Sequence, residues 1–472
     1  MTPGVVASSG RETSRTSRSR RLTSVAFASI GKRSVRSISE GVRLAVAGGD
    51  DALLERLHAC GRYQDGEHPP VNVTGEPVVI AGAGPVGLSL ALALAERDVP
   101  VRVFERLPTL SGESRASTFH PSTLELFAGL HVANELVELG YCAETMQYRD
   151  RATGAVIVEF DFRELAEETA FPFRLQVEQS TLTAVLLKRL LKHRHARVEF
   201  GRPAVGATAT GDGAAVRVAH LGEGGGEEVI EARFVVGTDG AHSAIRPGVT
   251  SEFPGFSFPS RFVMVFTTTD VIKFFVDGAP VIYLWDTVQP ATVFTLRDHW
   301  RTVFQVDADE SEAHSKDPKV VEERLVGLFG ERGRGCDVRT VTSYRLHQRI
   351  VPVYRNGGVV LAGDAAHLNA PLGGMGMNCG IHDAFMLADV LSGILAGAPE
   401  ADLDTYSTVR RKAAETYVFH RARENYQQFS EADAGLREKA IARWRSIAGD
   451  PSRMRTVMRE MSMLDTMPAV AR

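Results

Sequence analysis

Eighteen consecutive residues, Val78 to Ala95, carry no charge, yet Gly82, Gly84, Pro85 and Gly87 all fall inside the run. A segment this apolar must be buried, and its length approaches that of a membrane-spanning helix. The glycines and the proline lie where they would break such a helix. The segment therefore divides into a buried strand (Val78–Ala81), a glycine turn and a helix (Leu88–Arg97), and no membrane span is expected. Val101–Glu105 follows as a second short strand, so residues 77–105 read as a compact βαβ unit.

The turn itself, Gly82-Ala83-Gly84-Pro85-Val86-Gly87, has the spacing GxGxxG directly after a strand and at the mouth of a helix. Glycines there allow a tight turn, close approach of a pyrophosphate and close strand–helix packing. The helix N-terminus adds free N–H groups and partial positive charge. Alone the pattern is weak. Here Glu105 ends the next strand, 18 residues after Gly87, where a carboxylate can accept ribose hydroxyls. A dinucleotide is the expected ligand.

Two more glycine turns follow apolar strands. Phe234–Gly237 leads into "VVGTDGAHSAIR", with Asp239 and Gly240, and Gly358–Ala362 leads into "GDAAHLNAPLGGMGMN", Gly363 to Asn378. The last stretch has four glycines in sixteen residues and precedes a helical pattern from Cys379 to Leu395. Strand–helix packing seldom needs Gly373, Gly374 and Gly376 together. Between the turns, residues 119–140 and 180–193 have helical spacing, and His220–Val229 reads as a hairpin tip. Phe253 to Arg349 reads mainly as strands, and a mostly helical tail follows Leu403.

The expected class is α/β: a Rossmann-like domain with an inserted antiparallel-sheet substrate domain and a helical C-terminal region. The expected organisation is an N-terminal extension (1–74), a first part of the nucleotide domain (75–252, with substrate-domain strands near 141–178), the inserted sheet (253–349), the rest of the nucleotide domain (350–400) and C-terminal helices (401–472). The chain has 472 residues and a formal net charge of −4, which gives no electrostatic case for nucleic acid. Four scattered cysteines without a CxxC pair argue against a zinc site and for a reducing compartment, so a cytoplasmic location and no metal are expected. From Thr13 to Ser39 there are seven basic residues and no acidic ones. That segment reads as a disordered tail or as sequence upstream of a start at Val71, with an organelle-targeting segment as the alternative.

The three turns, in this order and spacing, resemble the class A flavoprotein aromatic monooxygenases of the para-hydroxybenzoate hydroxylase type, over roughly residues 76–420. The third turn matches that family's motif at Gly363, Asp364, His367, Pro371, Gly373, Gly376 and Asn378. The resemblance implies FAD as cofactor. Gly82, Gly84 and Gly87 would hold its pyrophosphate, with Glu105 at the adenosine ribose and Arg106 in the same cofactor-binding set. Arg115 and Gln179 would lie along the diphosphate and ribityl chain, and Asp239 with Gly240 near the pyrophosphate and NAD(P)H. Asp364 would contact the ribityl chain, Pro371 would lie on the substrate side, and Gly376, Met377 and Asn378 would turn amides toward the flavin.

The resemblance further implies an NAD(P)H- and O₂-dependent hydroxylation of a phenolic small molecule through a flavin C4a-hydroperoxide, under cover of the strand-rich region. Ala370-Pro371 replaces the family's frequent Pro-Pro. Tyr283, Tyr344 and His299 are candidates for assisting phenol deprotonation, each with a structural role as the competing reading; no catalytic residue is assigned. His367 reads as a loop anchor, and His242 and Asp383 receive no catalytic role. Trp285, Trp300 and Trp444 form no halogenase-type WxWxIP pattern. A FAD-dependent reductase of isoprenoid-type double bonds, or a non-enzymatic FAD-binding protein, remains the alternative. The oligomeric state is open.

Overall fold

The computed structural model describes residues 76–113, 116–221, 225–307, 309–429 and 433–466. The expected extension 1–74 and the candidate Arg115 lie outside the described residues.

The first apolar run folds into strand β1 (Val78–Ala81) and helix α1 (Pro85–Ala95), followed by β2 (Val101–Glu105). Helix α2 (Gln179–Leu190), β3 (Ala196–Phe200), β4 (Val235–Gly237), β5 (Arg355–Asn356), β6 (Val359–Leu361), α3 (Gly376–Leu395) and α4 (Asp402–Ala413) complete this half. The sheet order is β5-β6-β4-β1-β2-β3, parallel except for the β5–β6 edge. In α1 every residue from Gly87 to Ala95 is buried, because α2 and α3 pack against it and leave no face for water. This explains the missing charges: a helix covered all round has no polar stripe.

Strands β1, β4 and β6 are neighbours, and each runs directly into one of the three glycine turns. Parallel pairing therefore brings all three turns to one edge of the sheet, outside the carboxyl ends of its strands. That is where open α/β sheets bind ligands.

The second sheet has eight strands, in the order 367–368, 338–350, 255–267, 300–307, 291–295, 281–285, 145–150 and 156–161. It is antiparallel apart from the pairing of Val281–Trp285 with Thr145–Asp150. Its first strand, His367–Leu368, belongs to the third glycine turn, so that loop is shared by the two sheets. The strand-rich stretch also contains a helix, Pro318–Phe329, capped by Asp317, whose carboxylate accepts from the Lys319 amide. Residues 119–140 split into helices Pro121–Gly129 and Ala133–Leu139, with His131 at φ 57° in the break. The tail folds into helices including His420–Phe429, Ala434–Ala448 and Pro451–Met461. Trp444 packs edge-on against Tyr148, with ring centroids 5.2 Å apart, which fixes this tail to the second sheet. Among the described residues no helix is long and apolar enough to cross a membrane.

Candidate active site

The glycines of the first turn answer to two different demands. A Cβ on Gly87 would stand 2.0 Å from the Gly82 carbonyl oxygen, and one on Gly82 would stand 2.8 Å from that of Thr238. Those two positions are glycine because protein backbone is in the way. Gly84 is different: a Cβ there would meet no protein atom within 4 Å, and its φ of −76° suits any residue. Nothing among the described residues asks for glycine at 84, and the space above it is open. The first helical bond of α1 runs from Leu88 N–H to Gly84 C=O, so the amides of Val86 and Gly87 precede the helical ladder.

Glu105 stands beside this turn. Its Oε2 accepts from the Ala83 amide at 2.7 Å and its Oε1 from Leu107 at 3.0 Å. Each oxygen keeps a second lone pair, so the carboxylate can brace the loop and still accept from a sugar hydroxyl. Arg106 next to it is exposed. Gln179 opens α2, its amide bonded to the Ala116 carbonyl.

In the second turn Asp239 is spent on the loop itself. It accepts from Ser243 Oγ at 2.5 Å and from the amides of Ala244 and Ile245 at 2.7 and 3.2 Å. Burial raises its pKa, against those hydrogen bonds. It thus shapes the turn that carries Gly240.

The third turn is pinned from two sides. The buried Asn378 side chain accepts from the His120 amide (3.1 Å) and donates to the carbonyls of Thr118 (2.8 Å) and Gly374 (2.7 Å). The His120 ring meets the Gly373 carbonyl at 3.1 Å. Cys379 N–H donates to Met375, so the amides of Gly376, Met377 and Asn378 lie ahead of the helical ladder of α3. Asp364 is exposed between buried neighbours, and Pro371 is exposed on the loop.

Beneath the loop lies an ionic cluster that is almost wholly excluded from water. His367 Nε2 is 2.7 Å from Asp383 Oδ2, which also accepts from the Gly363 amide at 3.0 Å. Arg410 Nε, from α4, donates to Asp383 Oδ1 at 2.6 Å, and its Nη2 reaches Cys379 O at 3.1 Å. Burial pushes the Asp383 pKa up, but the facing His367 and Arg410 charges overcome it and hold the carboxyl at about 2. Burial likewise opposes protonation of His367, and Asp383 more than offsets it, raising the imidazole well above its ordinary value. His367 is therefore a charged loop anchor. Ligand atoms of His367, Cys379 and Asp383 come within 4.8 Å of one another, and the Arg410 guanidinium contacts two of the three, Asp383 and Cys379.

Beside Gly373 and Met375 is a small cavity, closed in by Tyr148, Tyr283, Arg174 and Met461, with Arg421 and Asn425 of the tail at its rim. It has room for little more than a water molecule. Of the three deprotonation candidates only Tyr283 reaches it. Burial raises the pKa of Tyr283, which keeps it protonated and a hydrogen-bond partner instead of a base. Tyr344 stacks on Phe262, and burial pushes its pKa up to about 12. His299 stands 3.0 Å from Glu178 and 2.7 Å from Asp298; burial opposes its protonation, but these carboxylates win and raise its pKa. The sequence reading missed Tyr148, Arg174 and Arg421. Only the charge of Arg174 inside the mostly apolar "FPFRLQV" hinted at a site.

Residues 76–420 match the family described as FAD binding domain. The chain is 28% identical to para-nitrophenol 4-monooxygenase of Pseudomonas sp. (strain WBC-3), over 83% of this chain and 96% of that one. It is 29% identical to 6-hydroxy-3-succinoylpyridine 3-monooxygenase of Pseudomonas putida, over 82% of this chain and 98% of the relative. Among solved structures, p-nitrophenol 4-monooxygenase from Pseudomonas putida DLL-E4 superposes with a TM-score of 0.76 at 26% identity, covering 82% of this chain and 98% of that chain.

Proposed function

Because the chain belongs to the FAD-binding family of flavin-dependent aromatic monooxygenases, we propose that it uses NAD(P)H and O₂ to hydroxylate a small phenolic ring. The observation that carries this reading is shared loop geometry. The turn whose first-helix amides suit a flavin also lends Gly373 and Met375 to the cavity wall. A ring admitted there, with Met375 and Met461 moved aside, would lie next to a flavin held by the same loop.

The open space over Gly84 and the unladdered amides on either side fit FAD. Gly82, Gly84 and Gly87 with the first turn of α1 would hold its pyrophosphate, and Glu105 its ribose. The amides of Gly376, Met377 and Asn378 would meet the flavin ring, with Asp364 and Gln179 along the ribityl chain. When bound, FAD supplies the reduction by NAD(P)H and the activation of O₂. The chain's own tasks are positional. Asn378 and His120 fix the loop, the His367–Asp383–Arg410 cluster holds its underside, and the packed aromatic residues around Tyr148 and Tyr283 exclude water. Tyr283, protonated, can hydrogen-bond the substrate oxygen.

The test is product analysis under ¹⁸O₂ with NADH or NADPH and a panel of phenols. Labelled oxygen on the ring is expected. Label from water would reject the reading, and reduction of a carbon–carbon double bond without O₂ uptake would favour a reductase.

A further inference from the structure

Among the described residues five arginines are deeply buried, and four of them have a carboxylate or at least three oxygen acceptors. Arg301 pairs with Glu178, Arg324 with Glu310, and Arg410 with Asp383. Arg149 donates to Gln147 and to the carbonyls of Gly154, Val276 and Asp277. Arg174, 3% exposed, is the exception. Its guanidinium reaches a thioether, Met146 Sδ at 3.1 Å, and one main-chain carbonyl, that of Met461, at 3.4 Å. The Tyr283 hydroxyl is its third neighbour, and the Phe162 ring lies 5.1 Å from its Cζ. Its Nε is buried with no acceptor among the described residues, as are Arg301 Nε and Arg410 Nη1; what sets Arg174 apart is that no carboxylate faces it.

An arginine does not shed its proton, a thioether is a weak acceptor, and an unmatched buried cation is costly. Arg174 also lines the cavity. Among the described residues, the remaining groups facing it do not supply the anion. Burial, and next the neighbouring Tyr283, raises the pKa of Tyr148; burial also raises that of Tyr283, against the opposing Arg174 charge, so both phenols stay protonated. Burial first, then the Arg174 charge, lowers the pKa of His120, which stays neutral. Arg421 brings a second cation, itself paired with Glu460 and, at 3.4 Å, with Glu424.

We propose that Arg174 is the anchor for an anionic oxygen on the aromatic substrate, which enters this cavity as its phenolate. The proposal rests on the oxygenase reading for the ring and on the unmatched guanidinium for the charge. Met375 and Met461, two flexible thioether chains in the wall, are the groups that would yield to admit a ring. The Arg174 fork gives directional bonds to an oxyanion that a neutral ring cannot accept as strongly.

The test uses the FAD-loaded protein with two probes, 4-nitrophenol and the non-ionisable nitrobenzene. Bound nitrophenol should show the phenolate absorption band at a pH where the free compound is mostly protonated. Arg174→Gln should weaken nitrophenol binding about 10- to 100-fold and nitrobenzene less than about 3-fold, with FAD content unchanged. Arg174→Lys, which keeps the charge without the fork, should fall between; it carries the test should the glutamine variant fail to hold FAD. Equal losses for both probes, no loss, or failure of the parent to bind the phenolate would overturn the anchor. O₂ uptake separates the two readings. Anion binding through Arg174 without ring hydroxylation would sink the oxygenase, whereas hydroxylation unaffected by Arg174→Gln would sink the anchor alone.

Discussion

Arg410 and Arg174 are both buried cations near the third glycine turn, Arg410 against Asp383 and Cys379 and Arg174 in the cavity beside Gly373. Arg410 meets the Asp383 carboxylate and a main-chain carbonyl, and Asp383 in turn holds His367 and the Gly363 amide. Both cations of that group face one shared carboxylate, Asp383. Arg174 has a thioether, a distant carbonyl and a protonated phenol. A charge balanced inside the fold belongs to architecture; one left unbalanced beside a cavity is addressed to a ligand.

The sharpest way to break this comparison is to unbalance the balanced side. Asp383→Ala leaves Arg410 and His367 facing each other in a dry site and orphans the Gly363 amide. A loss of about 3–5 kcal/mol of stability is expected, read by denaturant unfolding. Retention of parental stability would mean that the cluster does not hold the loop.

Next in size is Gly84→Val, which probes the one glycine of the first turn that no protein atom requires. The apo fold should keep its unfolding midpoint, while FAD affinity falls by about 100-fold or more, because the branched side chain would occupy the proposed pyrophosphate position. Flavin retained as tightly as in the parent would move the ligand off this turn. Loss of fold without FAD would show that the position serves packing after all.

These two variants also mark what the sequence could disclose. The GxGxxG turn was readable because its strand, glycines, helix and Glu105 are contiguous, and short-range spacing encodes their geometry. The three-turn edge was readable once parallel pairing was assumed, since each turn follows its own strand. The Asp383–Arg410 pair was not: it spans 27 residues and two helices, and an aspartate within a helical pattern looks like a solvated one. The cavity was less readable still. Tyr148, Arg174, Tyr283, Arg421 and Met461 come from separate elements, brought together only when the tail packs on the second sheet. Tyr283 was singled out for its chemistry as a base, and burial denies it that role. The helix Pro318–Phe329 was absorbed into the strand-rich stretch, although its Asp317-Pro318 start is a helix-start signal.

A third prediction uses pH to weigh the balanced cluster. The folded-state pKa of His367 lies well above the ordinary 6.5. The native state thus binds a proton that the unfolded chain releases in that range. Its stabilising contribution is full below about pH 6.5 and is lost as pH rises toward the folded value, with a slope of at most about 1.4 kcal/mol per pH unit. Asp383 works in the other direction: held at about 2, it contributes above the unfolded value and is lost only as pH falls toward 2. Replacing His367 by Gln should flatten the decline above pH 6.5 and leave the acid limb in place. A parental slope in that variant would place the linkage elsewhere.

The smallest effect is expected at Arg421, which stands between the two extremes. It lines the cavity and also an outer groove between the tail helices, and it is paired with Glu460 and Glu424. Its side chain is 15% exposed and that of Glu460 is 35%, so water screens the pair. Glu460→Gln should therefore change stability by less than about 1 kcal/mol, an effect that shrinks further in salt. The charge no longer held outward by Glu460 adds to the field of Arg174, and binding of an anionic ring should tighten about 2- to 3-fold at low salt, with nitrobenzene unaffected. Two titrations at low and high salt and one thermal melt check this. A destabilisation of several kcal/mol would put Arg421 on the architectural side with Arg410. Weaker anion binding would mean that Glu460 orients Arg421 into the cavity instead of competing for it.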